Sequence, residues 1–248
     1  MRVQDFESDG EETAPSAGCI RLASNRSGPT YTSRMKLTKY EHATVRFEKD
    51  GVSIVTDPGT LSPEVSDLLG QATAALVTHE HFDHFDVDAV RRALGDNAGL
   101  HVYGPEGLAE LVGGDMSHRF TVVGPGETFS AGPFEVSTFG GTHAVLHPDL
   151  PTMSNVSYLI DGTVFHPGDS YEVPDARIET LLMPTSGPWT SMHKAIDFIR
   201  AVAPTRAFQI HEAELSEVGR EYALYFLGPD GPGGAQISSL AVGEGIDV

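Results

Sequence analysis

The sequence predicts an α/β protein built as a four-layer αββα sandwich, two mixed β-sheets packed together with helices on their outer faces. Three observations carry this. Asp50-Gly51 and Asp161-Gly162 each join two β-patterned runs, the signal of a hairpin and so of antiparallel pairing. Helical runs lie between the strands, and each must cover its apolar stripe with a sheet face. The order is a β-rich half with hairpins, then helices, then a second β-rich half. No internal repeat of solenoid spacing competes with this reading.

Residues 1–34 are rich in Glu, Ser, Gly and Thr without a hydrophobic period, and read as a disordered N-terminal extension. Residues 35–248 read as one domain. Met35 directly precedes the patterned sequence and is a candidate translation start. Ala43, Val45 and Phe47 alternate with Thr44, Arg46 and Glu48, the period of a half-buried strand. Val52, Ile54 and Thr56 form the return strand, which stops at Asp57-Pro58-Gly59. Residues 62–69 suit a short helix with Pro63 in its first turn. Residues 74–77 form a buried strand, followed by a His-rich loop and a helix over about 88–94. A strand at 100–103, a helix at 105–111 and strands at 120–123 and 134–139 come next. The second hairpin pairs 157–160 with 163–166, and 181–183 is a short strand. The clearest helix spans 191–203, where Ala195, Phe198, Ile199 and Val202 make one stripe and Pro204 ends it. A strand at 207–210, a helix at 216–227 and a strand at 237–242 complete the chain.

The 248 residues carry 35 acidic and 16 basic side chains, a formal charge of −19. Nucleic acid needs a basic face, so the charge argues against it as a partner and none is expected. The plain reading of the acidity is a solvated surface. No apolar run is long enough to span a membrane, and no signal peptide is visible. The single cysteine, Cys19, can form no internal disulfide. Together these place the chain in the cytoplasm. A small molecule is the expected substrate, and homo-oligomerisation is left open.

The chemistry gathers at Thr78-His79-Glu80-His81-Phe82-Asp83-His84, just after the 74–77 strand. Imidazole and carboxylate groups are the usual ligands of zinc. His79 and His81 are two apart, so in extended backbone both side chains point one way and can reach one metal. Asp83 and His84 are adjacent and normally diverge, so a turn could present them to a second metal about 3.5–4 Å away. The helical zinc pattern H-E-x-x-H is not met, because Asp83 occupies the position of the second histidine.

His79, His81, Asp83 and His84 match H-x-H-x-D-H, and the chain resembles the metallo-β-lactamase superfamily. Further candidates follow strands in the order that family uses: His143 after Gly140-Gly141-Thr142, Asp169 after His166-Pro167-Gly168, and His211 after Gln209-Ile210. The resemblance spans residues 36–248 and implies the metallo-β-lactamase fold. It also implies that His79, His81 and His143 hold one metal, that Asp83, His84 and His211 hold the other, and that Asp169 bridges both. Two Zn²⁺ are implied, with Mn²⁺ or Fe²⁺ also accepted by such ligands. The branch it looks most like is the compact zinc-dependent hydrolases that include ascorbate-6-phosphate lactonase-like proteins.

The activity this implies is metal-dependent hydrolysis, in which a hydroxide bridging the metals attacks a carbonyl or phosphorus centre and Asp83 can pass a proton on. The bond is an ester or lactone, with an amide also open. The alternatives are a phosphodiester in a small molecule or phospholipid, and a non-catalytic metal-binding module. Asp57 is a candidate partner for a metal-bound histidine. His147, Trp189 and His193 are candidate pocket residues, the alternatives being a plain loop residue, a core anchor for the next helix and a helix-surface histidine. His166 reads as a packing or supporting residue, and His42, His101 and His118 as structural or exposed.

Overall fold

The computed structural model describes residues 34–248. The expectations for the extension and for Cys19 lie outside them. The elements in order are β1 (Lys36–Lys39), β2 (Val45–Lys49), β3 (Val52–Thr56), α1 (Val65–Gln71), β4 (Ala74–Leu76), α2 (Val87–Asp96), β5 (His101–Gly104) and α3 (Gly107–Val112). A 3₁₀ turn (Gly114–Arg119) leads to β6 (Phe120–Val122), β7 (Thr128–Ala131), β8 (Phe134–Gly140), β9 (Val156–Ile160), β10 (Val164–His166) and β11 (Thr180–Pro184). The chain closes with α4 (Met192–Val202), β12 (Arg206–Ile210), α5 (Glu217–Leu227), β13 (Ile237–Ser238) and β14 (Gly245–Asp247).

The expected αββα sandwich is present. One sheet runs β14-β1-β2-β3-β4-β5-β6 and the other β13-β12-β11-β10-β9-β8-β7. Each is mixed in the same manner. β1, β2 and β3 pair antiparallel while β3 to β6 pair parallel. In the second sheet β7 to β10 pair antiparallel and β10 to β13 parallel.

Alternation explains the layers. Leu37, Val45, Phe47, Ile54 and Leu76 of the first sheet pack against Phe134, Val136, Tyr158, Ile160 and Leu182 of the second. The opposite face of the first sheet, through Val55, Ala75 and Val102, packs against Leu68 and Leu69 of α1, Val90 and Leu94 of α2, and Leu108 of α3. The outer face of the second sheet, through Phe165, Leu181 and Met183, takes Phe198 and Ile199 of α4 and Leu227 of α5. Each Val, Leu, Ile, Phe or Met among them contributes about 1.5–3 kcal/mol on burial. Tyr158 is fully buried between the sheets, and its hydroxyl donates to Val77 O at 2.8 Å.

Both hairpin turns use the left-handed region, with Asp50 at φ 53° and Gly51 at 76°, and Asp161 at 51° and Gly162 at 62°. Helix α2 is capped by Asp86, which accepts from Ala89 N at 2.9 Å. α4 stops at Ala203, itself left-handed, just before Pro204. The sequence reading named no strand at β1, β7 or β14. It also carried the last strand to 242, where β13 ends at Ser238. Among the described residues no helix is long and apolar enough to cross a membrane.

Candidate metal centre

Loops leaving the C-terminal ends of β3, β4, β8, β10 and β12 meet along one edge shared by both sheets, the usual place for ligands in such sheets. They bring Asp57, the 79–84 run, His143, Asp169 and His211 together. Two four-residue groups result. The candidate ligand atoms of His79, His81, His143 and Asp169 all lie within 4.8 Å of one another, and so do those of His42, Asp83, His84 and His211. Asp169 spans them. Its Oδ2 lies 3.3 Å from His143 Nε2 and 3.8 Å from His79 Nε2, while its Oδ1 lies 3.0 Å from His84 Nε2 and 3.2 Å from His211 Nε2.

Hydrogen bonds at the far side of the rings fix which nitrogen faces inward. His84 Nδ1 donates to Asp57 Oδ2 at 2.7 Å. Asp57 also accepts from Thr78 N at 2.8 Å and Thr78 Oγ1 at 2.9 Å. With its proton so used, Thr78 Oγ1 accepts from His79 Nδ1 at 2.9 Å. His143 Nδ1 donates to Ala144 O at 2.7 Å. Nε2 of each ring therefore faces into the cluster as the atom a metal would take. Gly168 lets the Asp169 loop approach: at φ 61°, a Cβ there would meet Thr78 Cβ at 2.7 Å and Asn155 Oδ1 at 2.4 Å. Asn155 Oδ1 in turn accepts from Asp169 N at 2.9 Å.

Buried atoms left without a hydrogen bond concentrate here. They include His84 Nε2, His143 Nε2, Asp169 Oδ1 and both nitrogens of His211. Each such atom costs about 1–3 kcal/mol when nothing satisfies it. Several facing one another form a donor set that fits divalent cations, with neutral imidazoles and ionised carboxylates as zinc, iron and manganese accept.

The carboxylates and His84 stabilise one another's charge, and a cation bound at Nε2 would displace the His84 proton. Burial disfavours ionised Asp169, yet His84 and His211 outweigh it and hold its pKa well below the usual range. Burial likewise opposes the His84 imidazolium, but Asp169 and Asp57 raise its pKa well above the ordinary value. Burial holds His79 well below it. For Asp83 burial is overcome by the His42 hydrogen bond and His84, and the carboxyl is held at about 2.

The sequence reading classed His42 as structural or exposed and did not connect it to the site; the structure makes it a buried partner of Asp83. It is buried in the β1–β2 connection, and its Nε2 donates to Asp83 Oδ2 at 3.1 Å. Its Nδ1 accepts from Ala213 N at 3.4 Å and its carbonyl accepts from His211 N at 3.1 Å. Burial lowers its pKa to about 4, so it stays neutral and keeps this donor–acceptor pattern. Its only sequence signal is a place in the turn before the hairpin that ends at Asp57. Nearby, the buried Lys39 and Glu212 form an ion pair at 2.5 Å, next to His211.

A cavity of about 400 Å³ opens over the cluster, with His81, Asp83, His143, Asp169 and His211 in its lining. Trp189 lines it too and donates from its indole to Asp169 Oδ2 at 2.7 Å. His147 lines it as an exposed loop residue, its Nδ1 accepting from Asp149 N at 3.1 Å. His193 takes the helix-surface alternative: it is exposed on α4 and is not among the cavity-lining residues, so the pocket reading does not hold for it. Asp57 lies wholly buried beneath the cluster. His166 is buried, with Nε2 3.0 Å from Ala43 O, a packing role. His101 pairs with Thr121 Oγ1, and His118 is exposed.

Comparison with known proteins bears on the family and the fold. The beta-lactamase superfamily domain model matches residues 36–211. A protein of Mycobacterium tuberculosis is 35% identical over 185 residues, 72% of this chain and 84% of its own. A UPF0173 metal-dependent hydrolase of Exiguobacterium is 28% identical over 161 residues, 58% of this chain and 67% of its own. The crystal structure of the metallo-beta-lactamase fold protein YhfI from Bacillus subtilis is similar in fold at a TM-score of 0.62 and 15% identity, covering 87% of this chain and 100% of that one.

Proposed function

This chain belongs to the beta-lactamase superfamily, and on that premise we propose that it is a metal-dependent hydrolase that holds two divalent cations and cleaves an ester or lactone of a small molecule. The observation that carries the reading is the set of buried, unpartnered ligand atoms facing one another across Asp169 beneath an open cavity. His79, His81 and His143 would hold one cation and Asp83, His84 and His211 the other, with Asp169 reaching both. Zinc suits this set best, and Mn²⁺ or Fe²⁺ would also be accepted. When bound, the pair supplies an activated water and an electrophile for the attacked oxygen.

The chain's own residues prepare that chemistry. Asp57, Thr78 and Ala144 O hold protons at the outer nitrogens of His84, His79 and His143, so each ring presents its Nε2. Trp189 donates to Asp169 Oδ2 and forms part of the cavity wall. Asp83 was also a candidate proton carrier. Held at about 2, its carboxylate is a weak base at neutral pH, so ligation is the role its surroundings favour. A non-catalytic metal module would have no use for the cavity above the cluster. A single cysteine supports a cytoplasmic location for this reading.

The test is metal analysis of the purified chain, followed by a panel of lactones, carboxylic esters and bis-p-nitrophenyl phosphate. Hydrolysis of lactones or esters that chelation abolishes and zinc restores is expected. Turnover confined to the phosphodiester would replace the bond proposed. A folded protein with less than one metal per chain would overturn the reading.

A further inference from the structure

The cavity has a polar floor and apolar walls. Its walls are Phe82, Val145, Leu146, Leu150, Met153 and Trp189. Four of these are far from buried: Phe82 is 65% exposed, Val145 54%, Leu146 48% and Leu150 51%. Single exposed apolar residues need no explanation, but several gathered around one opening mark a binding surface. Two separate segments supply them. Phe82 comes from the metal-site loop itself, between His81 and Asp83, and the others from the loop after His143. That second loop is tied at its base, where Ala144 N donates to Asp169 O at 2.8 Å and His143 N to Met153 O at 3.0 Å.

The charges around the opening have one sign. The acidic residues lining the cavity are Asp83, Asp169 and Glu214, and no Lys or Arg is among the described residues that line it. A phosphate or carboxylate remote from the metal floor would meet no cation on these walls and would face a chain of net charge −19.

We infer that the substrate carries an uncharged apolar group, an aliphatic or aryl chain, which lies along the Phe82–Leu146–Leu150–Trp189 wall while the scissile ester or lactone rests on the His/Asp floor. This rests on the hydrolase reading above and narrows it. Water is the only co-reactant: the acyl C–O bond breaks, water oxygen forms the new C–O bond, and the leaving oxygen takes a proton. Sugar phosphates, the substrate type implied by the lactonase-like resemblance, are disfavoured by the same walls.

Trp189 is the single tryptophan of the chain and lies in the wall, so its fluorescence reports occupancy without turnover. The full-length protein, metal-free and zinc-loaded, is titrated with 1-butanol, 1-hexanol and 1-octanol. Affinity is expected to rise about fourfold per added methylene until the cavity is filled. The exposed-wall variant Leu146→Ser/Leu150→Ser should weaken octanol binding at least about tenfold with unchanged circular dichroism. In parallel, kcat/KM of the zinc-loaded enzyme for γ-lactones of growing alkyl tail should climb with tail length, and a terminal phosphate should abolish the gain. A fluorescence response independent of chain length, or unchanged in the double variant, overturns the inference. So does a response only to neutral phosphatidylcholine vesicles, which would make the rim a lipid-docking surface. Length-dependent binding with no hydrolysis of any ester or lactone would leave the apolar ligand standing and sink the hydrolase reading instead.

Discussion

Asp57 gathers three hydrogen bonds beneath the cluster, from Thr78 N, Thr78 Oγ1 and His84 Nδ1, and its left-handed φ of 43° aims it there. Asn tolerates that backbone but removes the charge that orients His84. Asp57→Asn should therefore weaken metal binding about 10–100-fold, read by chelator competition; an unchanged affinity would refute the orienting role. His42 does the same for Asp83 from the other side. His42→Asn keeps the positive φ of 59° but shortens the reach to Asp83, and metal content should fall from two toward one per chain. A variant that keeps two metals at wild-type affinity would show that His42 only packs. These two residues differ in how visible they were. Asp57 stands before Pro-Gly at a strand end, where a carboxylate can be anticipated. His42 touches Asp83 across 41 residues of sequence, a contact made by the sheet and by no local spacing.

At the scale of elements, the turn after β3 supports the metal loop directly. Thr60 N donates to Phe82 O at 2.9 Å, Asp86 N donates to Pro58 O at 2.8 Å, and a Cβ on Gly59 would lie 1.8 Å from Asp83 O. Gly59→Ala must push the two segments apart. It should cost at least about 2 kcal/mol and lower metal content together with Tm. Gly51→Ala is the control. Its Cβ meets nothing within 4 Å, so it should cost only the left-handed penalty of about 1–2 kcal/mol and leave the metals in place. Equal metal loss in both would detach the loop from this support. The same contrast explains which elements could be read in advance. The hairpins carry Asp-Gly turns and alternation, and α4 carries a full stripe. β7 and β14 are short edge strands made by a partner strand, Thr128–Ala131 by β8 and Gly245–Asp247 by β1, so their own residues hold little signal.

The molecule as a whole places its chemistry where both sheets end, so the donor set ties the two halves of the sandwich together. His79, His81, Asp83 and His84 come from the first sheet, and His143, Asp169 and His211 from the second. Chelation should then lower Tm of the entire domain, and zinc at a hundredfold its Kd should restore about 2.7 kcal/mol per site filled. Local loosening without a change in Tm would argue against a shared centre. The contiguous half of the site was legible because a loop of seven residues holds it. The other half depended on strand order, which the sequence suggested only through resemblance.

The central claim is that two cations share this one cluster, and metal stoichiometry of the zinc-reconstituted, full-length chain tests it most directly. The account predicts two metals per chain in the native protein. It also predicts fewer than two in His81→Ala, with hydrolysis abolished and the fold retained by circular dichroism. Less than one metal per chain in the folded native protein, or unchanged turnover in His81→Ala, would contradict it.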